Sequence, residues 1–212
     1  MGSTTFTIAG AMSLTRGDAA VDDGMFGSAQ LRLVTTLLLV ERDDAWPSEL
    51  LADRLWPGGA PERWRPALRG LVSRVRGLLV AVGIDGDQAL ANVNGRYVVT
   101  VPDLQVDVET ARHHLVRARR ALDEGRVEDS ERLAGRARAV LGRPILPGID
   151  NPWLDGVRRR AADDHLAALL VVGEARYRRA RFSPARAALR QALELAPYRE
   201  DAWRALMRVE SD

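Results

Sequence analysis

Cysteine is missing from this 212-residue chain, and so is lysine; histidine occurs three times and aromatic residues make up 5% of the sequence. Without cysteine there is no disulfide scaffold, no thiol nucleophile and no thiolate metal site. His113, His114 and His165 are the remaining nitrogen donors, and adjacent positions on a helix aim His113 and His114 about 100° apart, so no metal site is expected. Apolar runs are also short. Nothing approaches the ~18 consecutive residues of a membrane span, and Met1 to Gly10 lack the basic end and apolar stretch of a secretory signal. A cytoplasmic protein with no membrane association is expected. No Gly-rich phosphate loop, Ser/His/Asp set or convincing catalytic carboxylate pair occurs. The chain therefore reads as a non-enzyme, with no catalytic residues and no cofactor.

What is present is the composition of a folded globular protein, 46% hydrophobic and 28% charged. The length suits two domains of about a hundred residues or one large one. All 31 cationic side chains are arginine, yet the formal net charge is only +2, so the positions of the arginines matter more than their number. One segment concentrates them: Arg54 to Val80 carries Arg54, Arg63, Arg65, Arg69, Arg74 and Arg76 against the single acid Glu62.

Along the chain, Phe6 to Leu14 reads as a short strand and Val21 to Phe26 as a second, bounded by Gly10, Gly17 and Gly24. From Ser28, an N-cap, the apolar positions Leu31 to Val40 predict a first helix ending at Glu41 to Asp44. Pro47 opens a short second helix, Ser48 to Trp56, stopped by Pro57, Gly58 and Gly59. Pro66 starts a third, in which Leu68, Leu71, Val72, Val75, Leu78 and Leu79 recur at helical spacing as far as Gly83. Ala89 to Val93 and Arg96 to Val101 flank Asn94-Gly95, the strongest short hairpin signal, because both central residues of a type I′ turn need positive φ. Beyond Pro102 strands disappear. A boundary is expected near Asp103 to Val106, giving domains 1–103 and 104–212. Helices are predicted at Val108 to Glu124, Val127 to Leu141, Pro152 to Arg181, Ser183 to Glu194 and Tyr198 to Val209, packed as antiparallel pairs with the period of a tetratricopeptide unit. Trp153 and Trp203 read as core anchors. The arginines at 158–160 and 176–181, interleaved with acids, read as ion-paired helix surface.

On a helical wheel of the third helix starting at Arg65, the apolar residues fall between about 220° and 340°, and Arg65, Arg76, Arg69 and Ser73 at about 0°, 20°, 40° and 80°. One face is buried and its neighbour carries three guanidiniums. A helix, a tight turn, a basic amphipathic helix and a glycine-turned hairpin form the layout of a winged helix-turn-helix. In the major groove, arginine grips guanine O6 and N7 with a bidentate pair. Arg74, at about 180°, suits a phosphate better, and Arg96 at the hairpin suits backbone or minor groove. Arginine-rich faces are also commonly plain solvated surface, so the alternative is a helical-repeat adaptor whose winged helix binds a protein. Neutralisation of the stripe by Glu49, Asp53 or Glu62 would favour that alternative. A small-molecule sensor has no residue support in the sequence.

Leu55-Trp56, Val72-Ser73-Arg74-Val75-Arg76 and Gly95-Arg96-Tyr97-Val98-Val99 resemble the OmpR-type winged helix of the Streptomyces antibiotic regulatory protein (SARP) family of activators. Asp107, Leu141 to Pro147, Trp153-Leu154, Pro197 with Glu200, and Leu206-Met207 resemble the bacterial transcriptional activator domain that follows it there. The resemblance implies an α+β winged helix-turn-helix domain followed by an all-α, tetratricopeptide-like domain. It implies an activator that binds direct repeats in double-stranded promoter DNA as a homodimer and recruits RNA polymerase through its sigma subunit, serving an antibiotic or other secondary-metabolite gene cluster. By position, Ser48, Arg65, Arg69, Ser73, Arg74, Arg76 and Arg96 become the DNA-facing set, and Pro57, Gly58, Gly59 and Arg63 the polymerase contact loop. Two departures stand out. Gly142 replaces a tryptophan frequent in the family, which loosens the packing there. The chain also ends at Asp212, where the family usually continues with another helical pair, so Leu206 and Met207 are expected to be exposed.

Overall fold

The computed structural model describes residues 2–211 and divides into two compact units, Met1–Asp107 with Pro144–Val157, and Val108–Arg143 with Arg158–Asp212. The expected division at 103/104 does not coincide with these units. Asp103 is followed by a strand of the first unit, and a second segment returns to that unit after residue 143.

The first unit begins with β1 (Thr4–Thr7), β2 (Ser13–Arg16) and β3 (Ala19–Val21). The single strand expected over Phe6 to Leu14 is instead a turn between β1 and β2, which pair antiparallel with Phe6 opposite Leu14. Gly10, at φ 89°, makes that reversal possible. The strand expected at Val21 to Phe26 ends at Val21 and gives way to a 3₁₀ turn, Asp23–Phe26, because Asp22 caps it by accepting from Met25 N. A helix α1 (Ala29–Val40) follows, with the Ser28 hydroxyl accepting from Leu31 N. Next come β4 (Trp46–Pro47), α2 (Ser48–Leu55), α3 (Trp64–Ala81), a single turn α4 (Gly86–Ala89), β5 (Leu90–Val93), β6 (Arg96–Val99) and β7 (Leu104–Val106).

Two sheets result, ordered β3-β2-β1-β7 and β4-β6-β5. β7 lies parallel to β1, with Leu104 opposite Thr4, so the segment where a domain boundary was expected completes the first sheet. Asp107 locks this edge: its two carboxylate oxygens accept from Ile8 N and Ala9 N, both at 3.0 Å. The core joins the first sheet to the helices through Phe6, Ile8, Leu14, Phe26, Leu37, Leu51, Leu68 and Leu79. Arg32 grips Asp23 with both terminal nitrogens, at 2.6 and 2.9 Å, while Asp23 also accepts from Met12 N at 3.0 Å. The returning segment is fixed by Asn151, whose Oδ1 accepts from Trp153 N and Leu154 N and whose Nδ2 donates to Arg54 O at 2.8 Å. Trp153 is buried and donates from Nε1 to Glu41.

The second unit is helical. It comprises α5 (Asp107–Asp123) from Val108 onward, α6 (Val127–Leu141), the part of α7 (Pro152–Arg178) beyond Val157, α8 (Phe182–Leu195) and α9 (Glu200–Ser211). Leu166, Leu169, Leu189, Leu193, Leu206 and Val209 form its core cluster. Leu206 is therefore buried, contrary to expectation, whereas Met207 is 64% exposed. Trp203 is no core anchor: it is 48% exposed and donates from its ring nitrogen to Pro197 O. The arginines at the end of α7 are paired as expected, but around a carboxylate of another helix. Glu131 accepts from Arg176, Arg179 and Arg181 at 2.8 to 2.9 Å. Burial pushes the Glu131 carboxyl up, and these guanidiniums more than reverse that, leaving it below its ordinary value.

Candidate nucleic-acid interface

The second and third helices arise from the punctuation already noted. Ser48 opens α2, the exposed residues 57–63 form the turn, and α3 begins at Trp64, which leaves Pro66 in its first turn where a missing N–H costs nothing. Leu68, Leu71, Val72, Val75, Leu78 and Leu79 are all buried, so the wheel has the apolar face correctly placed. The hairpin turns at Asn94 (φ 52°) and Gly95 (φ 79°), the two positive values a type I′ turn needs, and the Asn92 side chain accepts from Gly95 N.

The hairpin turn is bolted to α2. Gly95 O accepts from both Ser48 N (3.2 Å) and Ser48 Oγ (3.1 Å). This places Ser48, Arg65 and Arg69 around one concavity of about 220 Å³, with Asn92, Gly95 and Tyr97 supplying its hairpin wall. Arg65 is two-thirds exposed, stacks over Trp64 at 4.5 Å and meets the equally exposed Glu49 at 3.3 Å. Such a pair contributes at most about 1 kcal/mol and yields readily to a phosphate. Arg69 and Ser73 are exposed and have no hydrogen-bond or ion-pair partner among the described residues. Arg96 stands exposed on the turn side of β6. Arg74 is exposed on another face, with one long bond from Nε to Gly70 O.

Arg76 is differently placed. Its Nε and Nη2 both donate to Leu90 O, at 2.9 and 2.7 Å, and its Nη1 meets Asp87 at 2.9 Å. This guanidinium ties α3 to the start of the hairpin, and each of its three nitrogens already has a partner within the fold. The wheel put it beside Arg69 because angle alone says nothing of a strand packed there. Gly86 makes the approach possible, since a Cβ there would lie 2.6 Å from Arg76 O. Trp64 and Asn92 complete the concavity; the Asn-Val-Asn-Gly run was the signal for Asn92, and nothing in the pattern singled out Trp64. The loop residues Pro57, Gly58, Gly59 and Arg63 are all exposed.

Elsewhere, His113 is exposed and His114 half-buried. Burial first, then Arg136, Arg117, Arg132 and His113, hold the His114 imidazole below its ordinary value. No group of three metal-ligating side chains occurs among the described residues, and no helix among them is long and apolar enough to cross a membrane.

A comparison with curated proteins finds no match. Among solved structures, Mycobacterium tuberculosis EmbR, in complex with a low-affinity phosphopeptide, superposes with a TM-score of 0.84 at 24% identity, over 99% of this chain and 55% of that one. This chain thus spans about half the length of that protein, and the likeness fixes the fold alone. Residues 106–212 match the bacterial transcriptional activator domain. The chain belongs to the bacterial transcriptional activator domain family.

Proposed function

We propose that this protein is a sequence-specific DNA-binding activator in which α1 to α3 and the β5–β6 hairpin act as a winged helix-turn-helix. In this reading α3 enters the major groove of direct repeats in promoter DNA, with Arg69 and Arg65 reading base edges. Ser48, Arg74 and Arg96 engage the phosphate backbone and fix the register. Two protomers occupy the repeats. The loop of Pro57, Gly58, Gly59 and Arg63 meets RNA polymerase at its sigma subunit, and the regulated genes form a biosynthetic cluster. The observation that carries this reading is Arg69. It is an exposed, unpaired guanidinium on the basic face of α3, one turn from Arg65 and Ser73 and beside a hairpin turn held rigid by Ser48.

A second reading rests on the pairing of Arg65 with Glu49 and of Arg76 with Asp87, which thins the basic stripe. In that reading the same surface binds a protein. Fluorescence anisotropy separates the two, using duplexes from upstream of the protein's own gene cluster at two salt concentrations, with Arg69→Ala alongside. Specific, salt-sensitive binding that the substitution weakens by roughly 1 kcal/mol or more supports the DNA reading. Binding that is absent, or equal on unrelated DNA and indifferent to Arg69, leaves the protein-partner reading.

A further inference from the structure

A second concavity, of about 360 Å³, lies wholly within the helical unit between α6, α7 and α8. That is the lower end of the range of small-ligand cavities, roughly 300–1,000 Å³. Its base is Gly142, where a Cβ would stand 3.0 Å from both Cε1 and Nε2 of His165 and 3.2 Å from Arg138 O. The absent side chain is therefore what lets the imidazole approach so closely there. Leu169 and Leu195 supply apolar wall, the first fully buried and the second 57% exposed at the rim.

The polar groups converge on one charge. Arg138 reaches Gln191 with Nη1 at 3.1 Å, while its buried Nε has no acceptor among the described residues. The half-buried guanidinium thus keeps one N–H out of water and unused, a costly arrangement that an added acceptor relieves. Arg143 also lines the cavity and Glu194 is its carboxylate, so the lining carries one net positive charge when His165 is neutral. Burial, and then the charge of Arg138, hold the His165 imidazole below its ordinary value, which keeps it neutral at neutral pH as a hydrogen-bonding group.

We propose that this cavity binds a free small carboxylic acid with an apolar body, its carboxylate on Arg138 and its body against Leu169 and Leu195. One net positive charge matches one carboxylate, and a bidentate Arg–carboxylate pair is the strongest contact these residues offer. The site is independent of the DNA-facing surface, so it stands or falls apart from the proposed function.

Isothermal titration calorimetry of the full chain tests it, with benzoate and octanoate as probes and benzamide and benzamidine as neutral and cationic counterparts. Saturable binding of at least one acid is expected, with benzamide about tenfold or more weaker than benzoate and benzamidine not binding. Arg138→Met weakens the acids by about tenfold or more and leaves benzamide unchanged. Leu195→Asp, at an exposed position that does not support the core, also weakens the acids and decides the matter if Arg138→Met fails to fold. The proposal is overturned if neither acid binds below about 10 mM, a range in which such a pair is detectable. Equal binding of benzamide and benzoate overturns it too, as does acid binding indifferent to Leu195→Asp.

Discussion

Arg69 and Arg76 lie about 20° apart on the wheel of α3, yet their surroundings assign them opposite roles, and a pair of substitutions separates these. Arg76→Met keeps the aliphatic stem and removes two charged donors from Leu90 O, together with the contact to Asp87. A half-buried, charge-assisted bond to a carbonyl contributes about 1.5–3 kcal/mol, and the contact to Asp87, whose side chain is 86% exposed, adds little. A loss of about 2 kcal/mol in a chain of this length corresponds to a fall in Tm of about 4–8 °C. Arg69→Ala removes an exposed side chain without a partner, so stability should stay within about 0.5 kcal/mol while DNA affinity falls roughly 5- to 150-fold. Differential scanning calorimetry and anisotropy on the same two variants measure both effects. If Arg76→Met leaves Tm unchanged and abolishes binding as Arg69→Ala does, then Arg76 contacts the partner and its placement against Leu90 is wrong.

Glycine-to-alanine changes should act with opposite sign at two positions. Gly86→Ala drives a Cβ to 2.6 Å from Arg76 O and should cost about 1–3 kcal/mol, whereas Gly70→Ala meets nothing within 4 Å on exposed α3 and should gain about 0.5–1 kcal/mol, both read from urea midpoints. Ala180, two residues beyond the end of α7, has φ 54°, a conformation alanine resists, so Ala180→Gly should stabilise by about 0.5 kcal/mol despite its greater chain entropy; a lower midpoint would refute the strain. The Arg32 and Met12 hydrogen bonds hold the Asp23 carboxyl below its ordinary value, so the unfolded chain takes up this proton first on acidification. The stability from those bonds is present above about pH 4 and is lost as pH falls through the folded-state value. Asp23→Asn should accordingly flatten the acid limb of a stability–pH profile, and an unaltered limb would count against the pairing.

The parts legible in the sequence were those set by local chemistry. Asn94-Gly95 dictated a hairpin because few other dipeptides accept two positive φ values, and the Leu68 to Leu79 spacing identified the buried face of α3 because a helix has only one period. The parts that stayed hidden depend on groups distant in sequence. Nothing in Leu104-Gln105-Val106 announces that it pairs with a strand a hundred residues earlier, and three residues are too few for alternation to register. Arg76 was misplaced for the same reason, since Leu90 O is invisible to a wheel. Trp203 shows the converse: an aromatic residue at helical spacing was read as core, yet its polar edge found Pro197 O at the surface. The convergence of Gly142 and Arg138 with His165 and Gln191 likewise needed helices from three stretches of chain.

The parallel pairing of β1 with β7 and the return of Pro144–Val157 bear on how the protein is made. On the ribosome, Thr4–Thr7 waits for Leu104–Val106 before the first sheet is complete, and the whole unit waits for residue 157. By then α5 and α6, which belong to the other unit, have already been synthesised. Long-range closure of this kind is slow and leaves an unpaired strand edge in the interim. A fragment cut at 103 would keep the α3 surface but leave β1 without its parallel neighbour. The shortest piece of chain expected to mature cleanly therefore runs past Val157, and this regulator's first unit finishes folding only after part of its second has been born.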